Sequence, residues 1–353
     1  MGENGFENNL PIQGDTIEIK NQKTNIRNMR TIKIWFLDFW GFFDPRNNLI
    51  TKILSERYIL EFDEKNPDYL FFSSYSYNHF KYKDCVKIYF TAENIIPDLN
   101  FADYGMGFHF IEFGDRYLRC PLYLLYEEAW NGVKGEKVIT SDLTQRKFCN
   151  FMYSNSFNAN PIREKFFSEL SKYKKVDSAG KYLNNMGGGY VPNKLEFIKD
   201  YKFTIAIENS SVEGYTTEKI IEPMSVNSIP IYWGNKRIEE DFNSKSILIL
   251  KEKSDIPALI EQIIYLDNDE DAYLSMLKEP WFKTNTQAQD WENRVRIFLY
   301  NIVDQPKELA IRNQKYGFRK RLYKEEARVA AFKNNYYWEK LCGLKERIFG
   351  KSW

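Results

Sequence analysis

The sequence predicts an α/β protein with two domains, each built around a mainly parallel sheet. Its 353 residues leave room for two hydrophobic cores of ordinary size. Short runs of β-branched and aromatic residues alternate with segments whose apolar residues recur at helical spacing, and this alternation favours parallel sheets. Between residues 203 and 234, a strand, a loop with a glycine, a helix and a second strand follow one another as one βαβ unit.

The first predicted domain covers residues 31–147 and follows a polar extension at residues 1–30. Apolar residues at helical spacing predict a helix over residues 48–58, and the polar stretch 131–146 indicates the domain boundary. Three runs rich in β-branched and aromatic residues predict buried strands. They are residues 32–37, 68–72 and 87–91.

The second predicted domain covers residues 148–310. A helix is expected over residues 161–172, because Pro161 suits a first helical turn, and another helix is expected to begin near Thr217. Residues 187–189 are three consecutive glycines and indicate a loop. Beyond Ile256 the pattern is mostly helical. The strands predicted in this half are residues 148–153, 203–207 and 229–233.

The charge is unevenly distributed along the chain. The formal net charge is +1, yet residues 312–353 carry 12 Lys/Arg and four Asp/Glu, so this segment is +8 and the remainder is −7. A basic tail on a neutral body points to an anionic surface as the partner of the tail. It argues against nucleic acid as a partner of the whole protein.

Few side chains are suited to holding a metal. The two histidines are His79 and His109, for which a satisfied loop or core position is expected, and no cysteines have C-x-x-C spacing. We therefore expect no bound metal and a reducing, cytoplasmic setting. No run of about 18 apolar residues predicts a membrane span, and the polar N-terminus does not resemble a signal peptide. The four cysteines are Cys85, Cys120, Cys149 and Cys342.

The loop at residues 209–215 carries the chemistry, because ligands of open parallel sheets bind beyond the carboxyl ends of the strands. Thr216 or Thr217 is a natural N-cap for the next helix, whose free N–H groups would favour a phosphate. Lys219 could add a positive charge to a diphosphate, and Glu218 could accept hydrogen bonds from ribose hydroxyls. The alternative is that Glu218 and Lys219 are surface charges on a first helical turn.

This segment resembles the signature of the α-1,3/1,4-fucosyltransferase family, and it is most similar to bacterial, Helicobacter-type members. That signature reads F-E-N-S, a short spacer, Y-V-T-E-K, and then a hydrophobic strand that ends in glycine. Here the corresponding letters are I-E-N-S at residues 207–210, Y-T-T-E-K at residues 215–219 and I-P-I-Y-W-G at residues 229–234. The departures are Ile207, Thr216 and Pro223, and we expect the helix to kink or end early at Pro223.

Two further blocks resemble the same family in the same order, so the resemblance spans residues 33–285. The letters T-A-E-N at residues 91–94 resemble a T-G-E-N motif whose glutamate is the family's proposed catalytic base, here Glu93. The letters P-I-R at residues 161–163 resemble a segment whose arginine, here Arg163, contacts the donor phosphates.

The resemblance implies two Rossmann-like domains that face each other across a cleft, the GT-B arrangement. It implies GDP-fucose as donor, an oligosaccharide acceptor, and transfer with inversion, in which Glu93 removes the proton of the incoming hydroxyl. The alternative for Glu93 is a salt bridge to Arg116 or Arg119. The donor-binding residues implied are Arg163, Asn209, Tyr215, Glu218 and Lys219, with no metal needed at the centre. The acceptor position implied is O3 of GlcNAc in N-acetyllactosamine-type sugars.

The basic tail, residues 311–353, has two interpretations. It could lie as an amphipathic helix on an anionic inner membrane, or it could pack on the first domain. The glycosylation sequon at Asn209 lies in the loop at residues 209–215, the expected donor loop, where a glycan would block the site. This position argues for bacterial cytoplasm. Two other functions remain open: a transferase for another nucleotide sugar, and a membrane-attached nucleotide-sugar-binding module without activity.

Overall fold

The computed structural model describes residues 29–154, 156, 158–188, 191–313 and 316–333. The expected polar extension is residues 1–30, and all of it except residues 29 and 30 lies outside the described residues. The described chain contains two parallel sheets, which confirms the predicted α/β class. The predicted domain limits stay predictions.

The first sheet has six parallel strands in the order β2-β1-β3-β4-β5-β6. Its central strands β3 and β4 are buried at every position, as expected for a sheet covered on both faces. The three predicted strands are present, shifted by one residue at most at any end. The strands are β1 Thr31–Leu37, β2 Ile59–Phe62, β3 Tyr69–Phe72, β4 Val86–Phe90, β5 Tyr104–Gly107 and β6 Tyr117–Arg119.

The second sheet has five parallel strands in the order β11-β10-β9-β7-β8. All seven residues of β9 are buried, and β9 pairs with β10 from Phe203 opposite Ile229 to Ile207 opposite Trp233. The carboxyl ends of these two central strands therefore lie side by side. The strands are β7 Lys147–Phe151, β8 Val176–Ser178, β9 Tyr201–Ile207, β10 Ile229–Trp233 and β11 Leu248–Ile249.

Ten α-helices surround the sheets in the described part of the chain, and the pattern beyond Ile256 is helical as predicted. The helix expected near Thr217 is α5, and it ends at Ser225, two residues after Pro223. The helices are α1 Leu49–Ser55, α2 Glu127–Lys134, α3 Ile162–Leu170, α4 Lys194–Ile198, α5 Glu218–Ser225, α6 Ile256–Asn268, α7 Glu270–Lys278, α8 Gln287–Asp304, α9 Lys307–Ala310 and α10 Gly317–Lys333.

Short edge strands and helix ends are where the structure departs from the sequence predictions. The helix predicted over residues 48–58 ends at Ser55, and β2 begins only four residues later. Strands β2, β5, β6, β8 and β11 have two to four residues each, too few for an alternation of apolar and polar residues to be visible.

The two halves are joined by a buried ion pair and by helix packing. Both guanidinium nitrogens Nη1 and Nη2 of Arg119 donate to the carboxylate of Asp241 at 2.7 Å, and Asp241 is 0% exposed. Helix α2 packs on α5 so closely that a Cβ at Gly132 would lie 2.8 Å from the Ser225 Cβ. These contacts join the two halves of the described chain.

The first part of the basic tail packs on the first domain, as one of its two interpretations expects. In α10, the Tyr323 ring lies 5.2 Å from the Phe80 ring, and its hydroxyl lies 2.6 Å from the Lys87 ammonium. Residues 334–353 lie outside the described residues. Among the helices described, none is long and apolar enough to cross a membrane.

Candidate functional site

Arg163 and Asn209 come together at the carboxyl end of β9. The Nη2 of Arg163 donates to the Asn209 Oδ1 at 2.7 Å and to the Ile207 carbonyl at 2.9 Å, while its guanidinium lies 4.1 Å from the Tyr153 ring centre. Arg163 is 2% exposed, and its buried Nε has no hydrogen-bond partner. In the described structure no carboxylate forms an ion pair with Arg163. A buried cation without a counter-ion favours an anionic ligand.

A second cluster lies at the start of α5 around Lys219. Its Nζ is 3.1 Å from a carboxylate oxygen of Glu208 and 3.1 Å from one of Glu218. Burial by itself would lower the pKa of Lys219, but the two carboxylates outweigh it and hold this pKa well above its usual value. Burial opposes the shift at Glu218 too, yet Lys219 and Lys194 lower the pKa of Glu218 to about 2. Lys219 and Glu218 are therefore charged at neutral pH, whereas burial raises the pKa of Glu208.

Glu208 is the residue of this cluster to which the sequence assigned no ligand role. It is 0% exposed, and its carboxylate accepts hydrogen bonds from the Thr217 backbone N–H at 2.7 Å and from the Thr217 hydroxyl at 2.8 Å. Thr217 is at the N-cap position as predicted, but its hydroxyl is taken by Glu208 and does not cap the helix. A carboxylate directly after a fully buried strand was the signal that could have revealed this structural role.

Tyr215 and Gly214 bring the donor loop against the first domain. The Tyr215 ring lies 5.1 Å from the Phe108 ring and is 7% exposed. Gly214 has φ +85°, and a Cβ there would lie 2.2 Å from the Phe108 carbonyl oxygen, so only glycine fits this approach. Burial, with Glu208 adding to it, raises the pKa of Tyr215 to about 12.

Glu93 follows β4 and is exposed. It lies near the junction between the first domain and the donor loop. Its carboxylate accepts a hydrogen bond from the Tyr75 hydroxyl. The next residue, Asn94, donates through its Nδ2 to the Ser210 hydroxyl of the donor loop at 3.2 Å. The T-A-E-N and I-E-N-S motifs, more than 100 residues apart in sequence, are thus neighbours. Burial, followed by the bond to Glu93, raises the pKa of Tyr75.

The alternative role for Glu93, a salt bridge to Arg116 or Arg119, is wrong. Arg116 donates to three backbone carbonyls, among them those of Asp103 and Leu99 at 2.8 Å. Arg119 is paired with Asp241. Glu93 therefore has neither arginine as a partner.

Sequence reasoning missed an aromatic surface beside Glu93. The Tyr75 ring, whose hydroxyl donates to Glu93, lies 6.2 Å from the Trp40 ring, and Phe42, two residues after Trp40, is 99% exposed. Trp40 follows β1 and Tyr75 follows β3, so both lie at the edge of the first sheet at which β4 also ends. Knowledge of that strand order would have pointed to them.

The two histidines differ in their hydrogen bonding. The Nδ1 of His79 lies 2.8 Å from the Asp38 carboxylate, so His79 is a satisfied core residue as expected. His109 differs, because its buried Nδ1 has no hydrogen-bond partner among the described residues. Within the described ranges, no group of three or more His, Cys, Asp or Glu side chains could hold a metal ion.

Two family models match the chain. The model described as "Alpha-(1,3)-fucosyltransferase FucT N-terminal domain" matches residues 34–126, and "Glycosyltransferase family 10 (fucosyltransferase) C-term" matches residues 143–324. The two matches cover both sheets.

Curated relatives carry the same family name. The chain is 31% identical over 293 residues to the alpha-(1,3)-fucosyltransferase FucT of Helicobacter pylori, covering 70% of this chain and 60% of that protein. It is 29% identical over 208 residues to the alpha-(1,3)-fucosyltransferase B of Drosophila melanogaster, covering 51% of this chain and 44% of that protein. The chain thus spans less than two thirds of either relative.

Solved structures give the same result for the fold. A crystal structure of an α1,3-fucosyltransferase with GDP is 29% identical in sequence, and its TM-score is 0.66. The alignment covers 82% of this chain and 94% of that one. A second, with GDP-fucose, is 30% identical, with a TM-score of 0.63 over 77% of this chain and 91% of that one. This likeness confirms the predicted GT-B type arrangement of two α/β domains. The T-A-E-N and I-E-N-S motifs are neighbours in the structure, and the family model matches residues 143–324, which are more than half of the chain. The chain therefore belongs to glycosyltransferase family 10, the fucosyltransferases.

Proposed function

We propose that this protein transfers L-fucose from GDP-fucose to a sugar hydroxyl, with inversion at the anomeric carbon. The observation that carries the proposal is the junction at which Asn94, beside Glu93, contacts Ser210 of the donor loop at 3.2 Å. In this proposal, the acid-base side chain of one domain and the cations of the other act on the same substrate from the two sides of this junction. The proposed acceptor atom is O3 of GlcNAc in N-acetyllactosamine-type oligosaccharides.

The proposed donor site holds the diphosphate with Arg163, Lys219 and the first N–H groups of α5. The two cations are not equivalent. Lys219 already has two carboxylate neighbours at 3.1 Å, whereas Arg163 contacts only neutral oxygens and a ring. Arg163 is therefore the cation whose charge is available to the phosphates. Asn209 and Tyr215 complete the pocket, and Glu218 is the acceptor for ribose hydroxyls.

The proposed base is Glu93, because a single displacement needs a proton acceptor on the face opposite the leaving GDP. Its exposure keeps the carboxylate open to an incoming hydroxyl, and the Tyr75 hydroxyl holds it in position. The negative charge that develops on the diphosphate is offset by Arg163 and the helix N-terminus, so we propose that no metal ion is required. Activity that survives EDTA treatment supports this, and its complete loss contradicts it.

The exposed aromatic rings beside Glu93 support a sugar acceptor. Tyr75, whose hydroxyl donates to Glu93, is 46% exposed and lies next to the Trp40 ring. Aromatic faces exposed at a site edge are typical of binding surfaces. The C–H face of a pyranose ring could pack on them while its hydroxyl points to Glu93.

The test is a transfer assay with GDP-fucose and a panel of disaccharides, together with calorimetric titration of GDP, UDP and ADP. We expect GDP to bind most tightly and N-acetyllactosamine to accept fucose. Tighter binding of UDP or ADP would indicate another nucleotide sugar. Binding of GDP with neither transfer nor slow hydrolysis of GDP-fucose would indicate a binding module without activity.

We also propose that the protein works in the cytoplasm and that residues 312–353 attach it to an anionic membrane surface. The support is the local charge of +8 and the exposed basic side chains of α10 such as Lys320 and Lys324. Flotation with vesicles that contain phosphatidylglycerol tests this in the full chain and in a chain truncated after Arg328. Equal flotation of the two chains would contradict a membrane role for the residues beyond Arg328.

A further inference from the structure

A cavity of about 730 Å³ lies between α10 and the amino ends of β4 and β5. Cys85 and Lys87 line it at the start of β4, whereas Glu93 follows the carboxyl end of the same strand. The cavity is therefore separate from the candidate active site. Its volume is in the range of sites for small organic ligands.

The lining of the cavity is strongly cationic. Six Lys/Arg side chains line it against two carboxylates, those of Asp84 and Asp103. Within the described structure, five of the six form no ion pair with a carboxylate, and they are Lys83, Lys87, Lys320, Lys324 and Arg328. Because these charges converge on one space, the cavity favours an anion.

Lys87 is the buried cation of this lining. It is 5% exposed, and its ammonium donates to the His79 carbonyl at 2.8 Å and lies 2.6 Å from the Tyr323 hydroxyl, both neutral groups. Burial lowers the pKa of Lys87 to about 8. Asn313 also lines the cavity, and its buried Nδ2 has no hydrogen-bond partner among the described residues. A buried ammonium and an unpaired amide donor are both stabilised by an anionic oxygen.

Four aromatic rings also line the cavity: Phe80, Phe101, Tyr316 and Tyr323. The rings of Phe80, Phe101 and Tyr323 lie 5.2 to 6.2 Å apart. Such walls take up a flat or apolar group, and they suit a ligand that combines an organic part with a charged end.

We infer that this cavity binds a phosphorylated organic anion, with the phosphate against Lys87, Asn313 and the basic residues of α10 and the organic part against the aromatic wall. The ligand would bridge α10 and the first domain and would hold the start of the tail in place. It would do so without entering the candidate donor site.

The experiment uses the full chain with excess GDP, which occupies the donor site, and titrates inorganic pyrophosphate by calorimetry. We expect saturable binding, weakened at least about tenfold in Lys324→Gln/Arg328→Gln, since this pair of substitutions removes two charge-assisted contacts to the phosphate groups. The matched control is Arg321→Gln/Lys333→Gln, which removes two charges from the same helix outside the cavity and should bind as the unmodified protein does. Lys87→Met should weaken binding as well.

Folding of each variant is checked by its GDP affinity and its circular dichroism. Absence of saturable pyrophosphate binding, or equal weakening in the control pair, would overturn the inference. Vesicles of phosphatidylcholine with phosphatidic acid distinguish a lipid headgroup from a soluble phosphate as the ligand. Competition between these vesicles and pyrophosphate assigns the site to a lipid headgroup, and binding of pyrophosphate without competition assigns it to a soluble phosphate. Both of those results support the site.

Discussion

Replacing Arg163 and Lys219 separately by methionine should produce two different defects, although both residues carry one positive charge near the proposed diphosphate. Arg163 is buried without a carboxylate partner, and its bonds go to the Asn209 Oδ1 and the Ile207 carbonyl. Its charge is therefore available to the leaving group. Arg163→Met should lower kcat for fucosyl transfer about 10²–10³-fold, the loss typical of one preorganised group that stabilises transition-state charge.

Lys219 instead neutralises two carboxylates within its own domain. Lys219→Met leaves Glu208, which is 0% exposed, as a buried carboxylate without its cation. Breaking such a pair from one side costs about 3–5 kcal/mol of folding stability. In Arg163→Met, two polar acceptors lose a donor while a buried, unpaired charge is removed. These two effects oppose each other, so its loss of stability should be smaller.

The assays are urea unfolding without ligand and steady-state kinetics with GDP-fucose. Arg163→Lys is the control for charge, since it keeps the cation but not the planar fork, and it should recover part of the lost kcat. Lys219→Met combined with Glu208→Gln is the control for stability, because it removes the unpaired carboxylate and should recover most of the loss. Near-normal kcat in Arg163→Met, or equal losses of stability in both single variants, would refute this assignment.

Three other predictions concern single side chains. Glu93→Gln should lower transfer about 10²–10⁴-fold with little change in GDP affinity, and near-normal turnover would exclude Glu93 as the base. Arg119→Met should lower the free energy of unfolding by about 3–5 kcal/mol, because Asp241 is left buried and unpaired. Replacing Asp241 by leucine in the same chain should restore most of it, and a loss below about 1 kcal/mol in Arg119→Met would contradict the structural role. For Lys87, whose pKa is lowered to about 8 from 10.5, the folded protein binds fewer protons than the unfolded one between these two pH values. The free energy of unfolding of the unmodified protein, relative to that of Lys87→Met, should therefore rise by about 3 kcal/mol as the pH increases from 8 toward 10.5. Urea unfolding without anions measures this difference. A difference that does not change with pH would contradict the buried charge.

The sequence by itself determined the central strands and the chemical content of the site. Strands β3, β4, β9 and β10 were predictable because they are buried along their whole length and their apolar runs are continuous. The loop after β9 was predictable as a candidate ligand loop because the carboxyl end of a parallel strand opens into a crevice whichever residues surround it. These features depend on neighbours in sequence.

Distances between segments far apart in sequence were decided by the tertiary structure alone. Asn94, next to Glu93, contacts Ser210 of the donor loop because the two sheets are held together, with the Arg119–Asp241 pair and the packing of α2 on α5 among the contacts that join them. Likewise Glu208 neutralises Lys219, and α10 closes a cationic cavity over Lys87, through side chains that no local pattern relates to one another. Burial patterns are local and repeat along an element, whereas the partner of a buried charge depends on which surfaces pack, and for this reason only the folded chain fixes the partners.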